Sequence, residues 1–244
     1  VVGFQTKRGV SNFLTAAERF TSAKVSGNSI RYQGRKIEVK DFPITVDVER
    51  YRSAAKRPNV LKRAAELRQK LARKRKIILG IDRLDYTKGV DFRMKAFETL
   101  LRNKSIDIDD FVYIQVVVPS REKIPKYLEL KENIERMVGR INGEYGDAGR
   151  VPIQYLHRSL DFEELMAYYV AADIMLVTPL RDGMNLVAKE YLCARNDDSG
   201  ILILSEFAGA AQELQGAMPV NPFDVDGLAE SIVHALDLPE KDEA

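Results

Sequence analysis

The sequence predicts an α/β protein, a Rossmann-like parallel sheet with helices on both faces and a smaller unit of mixed texture ahead of it. Three observations carry this. Short unbroken apolar runs recur from residue 77 onward, amphipathic helical patterns separate them, and before residue 42 two alternating runs flank a glycine. A strand covered on both faces is apolar throughout, so a run such as Ile174-Met175-Leu176-Val177 belongs inside such a sheet.

In chain order, Val1-Val2-Gly3-Phe4 reads as a strand, and Ser11 as the cap of a helix through Phe13, Ala17 and Phe20. Residues 29–33 and 36–40 alternate around Gly34, which is a hairpin pattern. Phe42-Pro43-Ile44 ends that unit, and Asp47 can cap a helix over Val48–Ala55. Val60, Ala64, Leu67 and Leu71 form one helical stripe that runs into Arg73-Lys74-Arg75-Lys76. With no aromatic residues interleaved for base stacking, that basic run reads as a cationic helix end and not as a nucleic-acid patch.

From there the rhythm is regular. Strands are expected at 77–81, 112–118, 153–156, 174–177, 201–204 and 218–220, with helices at 91–101, 122–142, 161–171, 184–194, 210–214 and 224–236. The change from hairpin to βαβ texture puts a boundary near residues 60–75.

Bulk properties exclude several classes. At 244 residues, with 45% hydrophobic and 30% charged, the chain can build a proper core. A net charge of +2 demands neither nucleic acid nor an anionic membrane. Cys193 is the only cysteine, and the two histidines, His157 and His234, lie far apart, so no intrachain disulfide and no Cys- or His-based metal site is expected. The longest apolar run, 168–177, is interrupted by Asp173, too short to span a membrane. No signal peptide is legible, and a cytoplasmic protein is expected. The opening Val-Val-Gly-Phe has the texture of an interior strand, which suggests a longer protein.

Ligands of such sheets bind beyond the carboxyl ends of the strands, so the strand ends are where chemistry is sought. After residue 177 comes Thr178-Pro179-Leu180-Arg181-Asp182-Gly183-Met184-Asn185-Leu186-Val187-Ala188-Lys189-Glu190-Tyr191. A strand that turns at Gly183 into a helix presents free N–H groups and the positive dipole end, an anion site made of backbone. Asp182 stands at its mouth and Glu190 about two turns inside. Ionised acids accept hydrogen bonds from neighbouring hydroxyls, so phosphate beside diols points to a nucleotide sugar. The bland alternative makes Asp182 a helix cap and Glu190 a solvated surface residue.

The first strand of the large sheet leads into Asp82-Arg83-Leu84-Asp85-Tyr86-Thr87-Lys88-Gly89. Arg83 and Lys88 can stabilise a departing diphosphate; equally, they can pair with Asp82 and Asp85. Arg121, after the second strand, reaches a second phosphate or caps a helix face. His157, before Ser159 and Asp161, reads as structural, and the Leu160 backbone lies where a base could touch it. The small residues of Phe207-Ala208-Gly209-Ala210-Ala211 suit close packing. The glycine fingerprint of dinucleotide binders is absent, so no nicotinamide cofactor is expected.

The runs 82–89, Gly139-Arg140-Ile141-Asn142-Gly143-Glu144-Tyr145-Gly146, 178–191 and 207–211 together resemble the trehalose-6-phosphate synthases, retaining glycosyltransferases of two-domain GT-B architecture. The resemblance extends over the chain but covers only the later part of that family's length. It implies that residues 1–45 end an N-terminal acceptor domain and that 46–244 form the nucleotide-sugar domain. It further implies transfer of glucose from UDP-glucose to glucose 6-phosphate, giving trehalose 6-phosphate and UDP with retained configuration and no metal or cofactor.

By the same resemblance, Arg83 and Lys88 hold the donor diphosphate, backbone at Leu160 meets the uracil, and Glu190 binds the ribose. Asp182, Gly183, Met184 and Asn185 meet the transferred glucose, Leu186 and Val187 N–H groups meet phosphate, and Arg121 takes the acceptor phosphate. Arg83, Lys88 and Asp182 are the catalytic candidates, Asp182 for positioning. Transfer is front-face, without the carboxylate nucleophile of retaining glycosidases. This half alone is expected to bind donor without transferring glucose. ADP- or GDP-glucose as donor stays open, as does homo-oligomerisation. The competing readings are a glycogen- or sucrose-synthase relative and a non-catalytic nucleotide-sugar module.

Overall fold

A computed structural model of the chain describes residues 1–121, 123–195, 197 and 199–238. Two sheets organise it. The first contains β1 (Val2–Phe4), β2 (Lys24–Ser26), β3 (Ser29–Tyr32) and β4 (Arg35–Asp41), in the order β1-β4-β3-β2, with α1 (Lys7–Phe20) packed on it. The hairpin between β3 and β4 turns at Gln33 and Gly34, both at positive φ (48° and 74°), the left-handed pair that matches strand twist. The three-residue β2 was not anticipated.

The first helix starts a turn earlier than Ser11. Thr6 is its cap, its side chain accepting from Gly9 N at 3.2 Å. Lys7-Arg8-Gly9 carries no apolar periodicity, so the opening turn is invisible to pattern reading, and Val10 is the first residue of the helix to be buried.

The second sheet has six parallel strands: β5 (Lys76–Arg83), β6 (Phe111–Val118), β7 (Ile153–His157), β8 (Ile174–Val177), β9 (Ile201–Ser205) and β10 (Met218–Val220). Their spatial order is β10-β9-β8-β5-β6-β7. The chain lays down β5, β6 and β7 in one direction, then returns to the other side of β5 for β8, β9 and β10. The order therefore reverses between β5 and β8, where a crevice opens at the carboxyl ends.

Side chains alternate between two cores. Ile77, Leu79, Val112, Ile114, Met175, Val177, Leu202 and Leu204 face a layer that includes α2 (Val48–Ala55), α3 (Pro58–Leu67), α6 (Phe162–Ala171) and α7 (Leu186–Ala194). Ile78, Phe111, Tyr113, Ile174, Leu176 and Ile203 face α4 (Val90–Arg102), α5 (Pro125–Tyr145) and α8 (Val225–Asp237). Asp47 caps α2 as expected, accepting from Arg50 N at 3.1 Å. The stripe Val60, Ala64, Leu67 is buried.

Because α2 and α3 pack on α6 and α7, the change of texture near residues 60–75 is not a change of packing unit; the first sheet is complete at Asp41. Two residues of the basic run, Arg75 and Lys76, are structural, and Arg73 and Lys74 are exposed. Arg75 donates to the carbonyls of Ile108 and Phe111, and Lys76 Nζ donates to those of Leu236 and Leu238 at the end of α8.

Of the helices expected after residue 90, three differ from expectation by more than one residue. The helix expected over 122–142 spans Pro125–Tyr145, with proline in its first turn, where a missing N–H costs nothing; residue 122, its expected start, lies outside the described residues. The helix expected from 184 begins at Leu186, because Asn185 takes positive φ and caps it. Residues 210–214 give only a 3-10 turn, Gly209–Gln212.

Phe97 on α4 stacks on Tyr113 at 4.3 Å and on Phe111 at 5.5 Å between ring centroids and is fully buried. We expect Phe97→Ala to lower stability by about 3–5 kcal/mol; a urea midpoint unchanged from wild type would contradict this packing.

Candidate functional site

Three loops meet at the carboxyl ends of β5, β8 and β9. The loop after β5 is wound tight by Asp85, whose Oδ1 accepts from both the N–H (2.9 Å) and the hydroxyl (2.8 Å) of Thr87. It ends at Gly89, φ 66°, where a Cβ would lie 2.5 Å from the Thr178 carbonyl oxygen, so only glycine lets this loop lie against the end of β8. Leu180 N donates to Thr87 O at 2.7 Å, fastening the two loops together.

On its other side the β8 loop is held by the segment after β9. Ser205 Oγ donates to Pro179 O (2.7 Å), Asp182 N to Phe207 O (3.2 Å), Gly209 N to Asp182 O (3.0 Å) and Ala210 N to Met184 O (2.7 Å). A side chain at Gly209 would stand 2.0 Å from the Gly183 carbonyl oxygen. The small residues of 207–211 thus allow backbone to lie directly on backbone.

Within this frame Lys88 Nζ lies 2.5 Å from Asp182 Oδ2, both side chains largely shielded from solvent. Asp182 also accepts from Asn185 Nδ2 (3.2 Å) and, more weakly, from Met184 N (3.3 Å). Asp182 is therefore not the cap of α7; Asn185 is, its Oδ1 accepting from Ala188 N at 3.2 Å. Among the described residues, the N–H groups of Leu186 and Val187 have no acceptor, so the positive end of α7 is open beside the Lys88–Asp182 pair.

Neither alternative pairing of the basic residues is formed. Asp82 is buried with Arg93, Nη2 to Oδ2 at 2.5 Å, and Asp85 is occupied by Thr87 and, at 3.3 Å, by the Tyr127 hydroxyl. Arg83 ends β5 exposed and makes no ion pair among the described residues. Arg121, exposed and at φ 51°, donates from Nη1 to Tyr127 Oη at 2.9 Å; Tyr127 in turn reaches Asp85, so the β6 loop is tied to the β5 loop.

Glu190 is not a solvated surface residue. Its Oε2 accepts from Tyr169 Oη at 2.8 Å, and Tyr51 on α2 lies close to it. Burial, and then the Glu190 charge, push the Tyr51 hydroxyl up to about 12. Leu160, just before the Asp161 cap of α6, packs into the same apolar layer as Leu186 and Val187.

Sequence reasoning missed Arg93. It sits in an apolar helical pattern, and no spacing rule marks a charge destined for full burial. Between α1 and the β8 loop there is a cleft of about 380 Å³ whose lining includes Thr6, Arg8, Asn12, Arg181, Asp182 and Gly183, so α1 faces Asp182 and Gly183 across it. No group of three or more His, Cys, Asp or Glu is placed to hold a metal ion among the described residues.

Lys88, Asp182 and the open start of α7 are thus brought together at the ends of β5 and β8, with Glu190 further along the same helix and Arg83 exposed at the end of β5. The family model for "Glycosyltransferase family 20" matches residues 1–244. Trehalose-6-phosphate synthases of Mycobacterium sp. (strain JLS) and Mycobacterium tuberculosis are each 47% identical, over 97% and 99% of this chain and about half of their own. A Burkholderia xenovorans α,α-trehalose-phosphate synthase (UDP-forming) in complex with glucose 6-phosphate superposes with TM-score 0.92 at 37% identity, over 97% of this chain and 52% of that one. An E. coli structure bound with UDP-2-fluoro glucose superposes with TM-score 0.88 at 36% identity, over 97% and 53%. The chain spans about half the length of the curated relatives it matches.

The Asp85 carboxyl is a testable part of this geometry. Partial burial raises its pKa, but the Thr87 and Tyr127 hydrogen bonds and Lys88 outweigh that and hold it below the usual aspartate value. A lowered folded pKa stabilises above the unfolded value, near 4, and the contribution is lost as pH falls through the folded value. We expect Asp85→Asn to be less stable than wild type at pH 7 and to show a shallower fall in stability below about pH 4. Parallel stability–pH curves would contradict this.

Proposed function

Because this chain belongs to glycosyltransferase family 20, we propose that it is the donor-binding half of an enzyme that transfers glucose from UDP-glucose to glucose 6-phosphate. The products are trehalose 6-phosphate and UDP, with configuration retained. In this reading residues 1–45 end the acceptor-binding domain, and 46–244 form the donor domain. The observation that carries it is the Lys88–Asp182 pair beside the open N–H groups of Leu186 and Val187.

Lys88, Arg83 and the α7 start receive the diphosphate, whose charge grows as its bond to the sugar breaks; fixed cations and dipoles in a shielded site stabilise that growth without rearranging. Asp182, with Gly183, Met184 and Asn185, orients the transferred glucose through its hydroxyls. The acceptor oxygen bonds to the anomeric carbon on the face the diphosphate leaves, and its proton passes to the departing phosphate oxygen. Glu190, oriented by Tyr169, takes the ribose hydroxyls, and backbone at Leu160 contacts the uracil. Arg121 reaches the acceptor phosphate from the tether it shares with Tyr127.

The chain by itself binds donor and does not turn it over, since the acceptor domain supplies the rest of the cleft. We place the protein in the cytoplasm, a placement supported by its single cysteine. No helix among the described residues is long and apolar enough to cross a membrane.

Calorimetry of the 244-residue chain with UDP, ADP and GDP tests the donor reading, and failure to bind any of them would refute it. In a protein carrying both halves, Arg83→Ala and Lys88→Ala should each lower turnover by about 10²-fold or more, and wild-type rates would contradict the assignment. Glu190→Gln should weaken UDP binding more than it slows transfer by bound donor; unaltered UDP affinity would count against its ribose role.

A further inference from the structure

Arg93 takes no part in the chemistry described so far, yet it is fully buried, one turn into α4 from Gly89. Its guanidinium touches both strands that flank the crevice, β5 with its loop and β8. Nη2 donates to Asp82 Oδ2 near the end of β5 (2.5 Å) and to the Lys88 carbonyl (3.0 Å), and Nη1 donates to the Leu176 carbonyl of β8 (3.3 Å). The fold makes room for it: a Cβ on Gly80 would stand 2.6 Å from Nη1. Gln115 steadies the same carboxylate, its Nε2 donating to Gly80 O at 3.2 Å and lying 3.5 Å from Asp82 Oδ2.

We propose that Arg93 is a positioning residue for Lys88, its planar fork fixing the backbone from which the Lys88 ammonium reaches the donor diphosphate. Stability alone does not account for an arginine here. A buried ion pair is a poor stabiliser compared with apolar packing, and Arg93 Nε is buried without a hydrogen bond among the described residues, a further cost. A lysine could pair with Asp82, but a single ammonium on a flexible stem cannot span Asp82, the Lys88 carbonyl and the Leu176 carbonyl in one plane. What the arginine adds is a fixed distance between the β5 loop and β8, and hence between Lys88 and Asp182.

The inference rests on the donor-site reading above, and one set of titrations separates the two. UDP and uridine are titrated into the wild-type chain and into Arg93→Lys, Asp82→Asn, Lys88→Ala and Arg93→Lys/Lys88→Ala. Arg93→Lys should weaken UDP at least about tenfold, as expected for lost hydrogen bonds to a charged group. Uridine, which has no diphosphate, should bind as in wild type. Adding Arg93→Lys to Lys88→Ala should cause no further loss, because the arginine acts through the lysine. Asp82→Asn, which keeps the side-chain shape and loosens the fork, should show the same selective loss if Arg93→Lys does not fold.

No UDP uptake by wild type refutes the donor-site reading itself. If wild type binds UDP, three outcomes overturn the positioning role alone: equal UDP affinity in the folded variants, parallel loss of UDP and uridine, or additive losses in the double variant. Unfolding of both Arg93→Lys and Asp82→Asn also overturns it, by making the network a stabiliser of the sheet.

Discussion

The pairing of β5 with β8 is the constraint on which the site depends. These strands are far apart in sequence and become neighbours only because the chain, after β7, returns to the inner edge of β5. Their ladder runs through Ile78–Ile174 and Leu79–Met175. Beyond it α4 and α7 leave on opposite faces of the sheet, so each loop leads into a different helix layer. The loops are joined directly through the Leu180–Thr87 hydrogen bond, the close approach at Gly89 and the Lys88–Asp182 ion pair. A nucleotide sugar has alternating chemistry, anionic in the middle and hydroxylic on both sides. On the donor-site proposal, Lys88 and the start of α7 take the anionic middle, and Asp182 and Glu190 take hydroxyls on either side.

Much of the polar structure behind this crevice is unfavourable taken in isolation. Burying Arg93 and Asp82 removes two charges from water, and their attraction returns that cost only if the remaining donors are satisfied. Most are, by the carbonyls of Lys88 and Leu176, while Gln115 Nε2 gives the Asp82 carboxylate a further donor. The apolar layers around them supply the driving force: β5 and β6 are buried almost end to end, and the rings of Phe97, Phe111 and Tyr113 stack beneath the polar network. A rigid sheet thereby holds a charged cluster that could not hold itself.

Much of this was legible in the chain. Uninterrupted runs such as 174–177 located the parallel strands, because a strand covered on both faces has no polar position to spare. The pattern around Asp182, Gly183 and Glu190 equally allowed a helix cap and a surface acid, and only the assembled strand ends show that Asn185 is the cap and that Glu190 is bonded to Tyr169. Other features were hidden for physical reasons. The first turn of α1 has no apolar repeat, so Thr6 could not compete with Ser11 as the cap. The break in texture near residues 60–75 marked a change of element type, whereas packing is decided by which helices share a core. That Lys88 pairs with Asp182, and Arg93 with Asp82, follows from the adjacency of β5 and β8, which local spacing does not encode.

We propose that the nucleotide diphosphate sits at the start of α7, flanked by Lys88 and Asp182. Amide chemical shifts of the isotope-labelled chain during a UDP titration address it most directly. The largest saturable changes should fall on Gly183, Leu186 and Val187, with the Lys88 loop following at the same UDP concentration. Changes of that size confined to other strand ends, with the 183–187 amides unmoved, would contradict it.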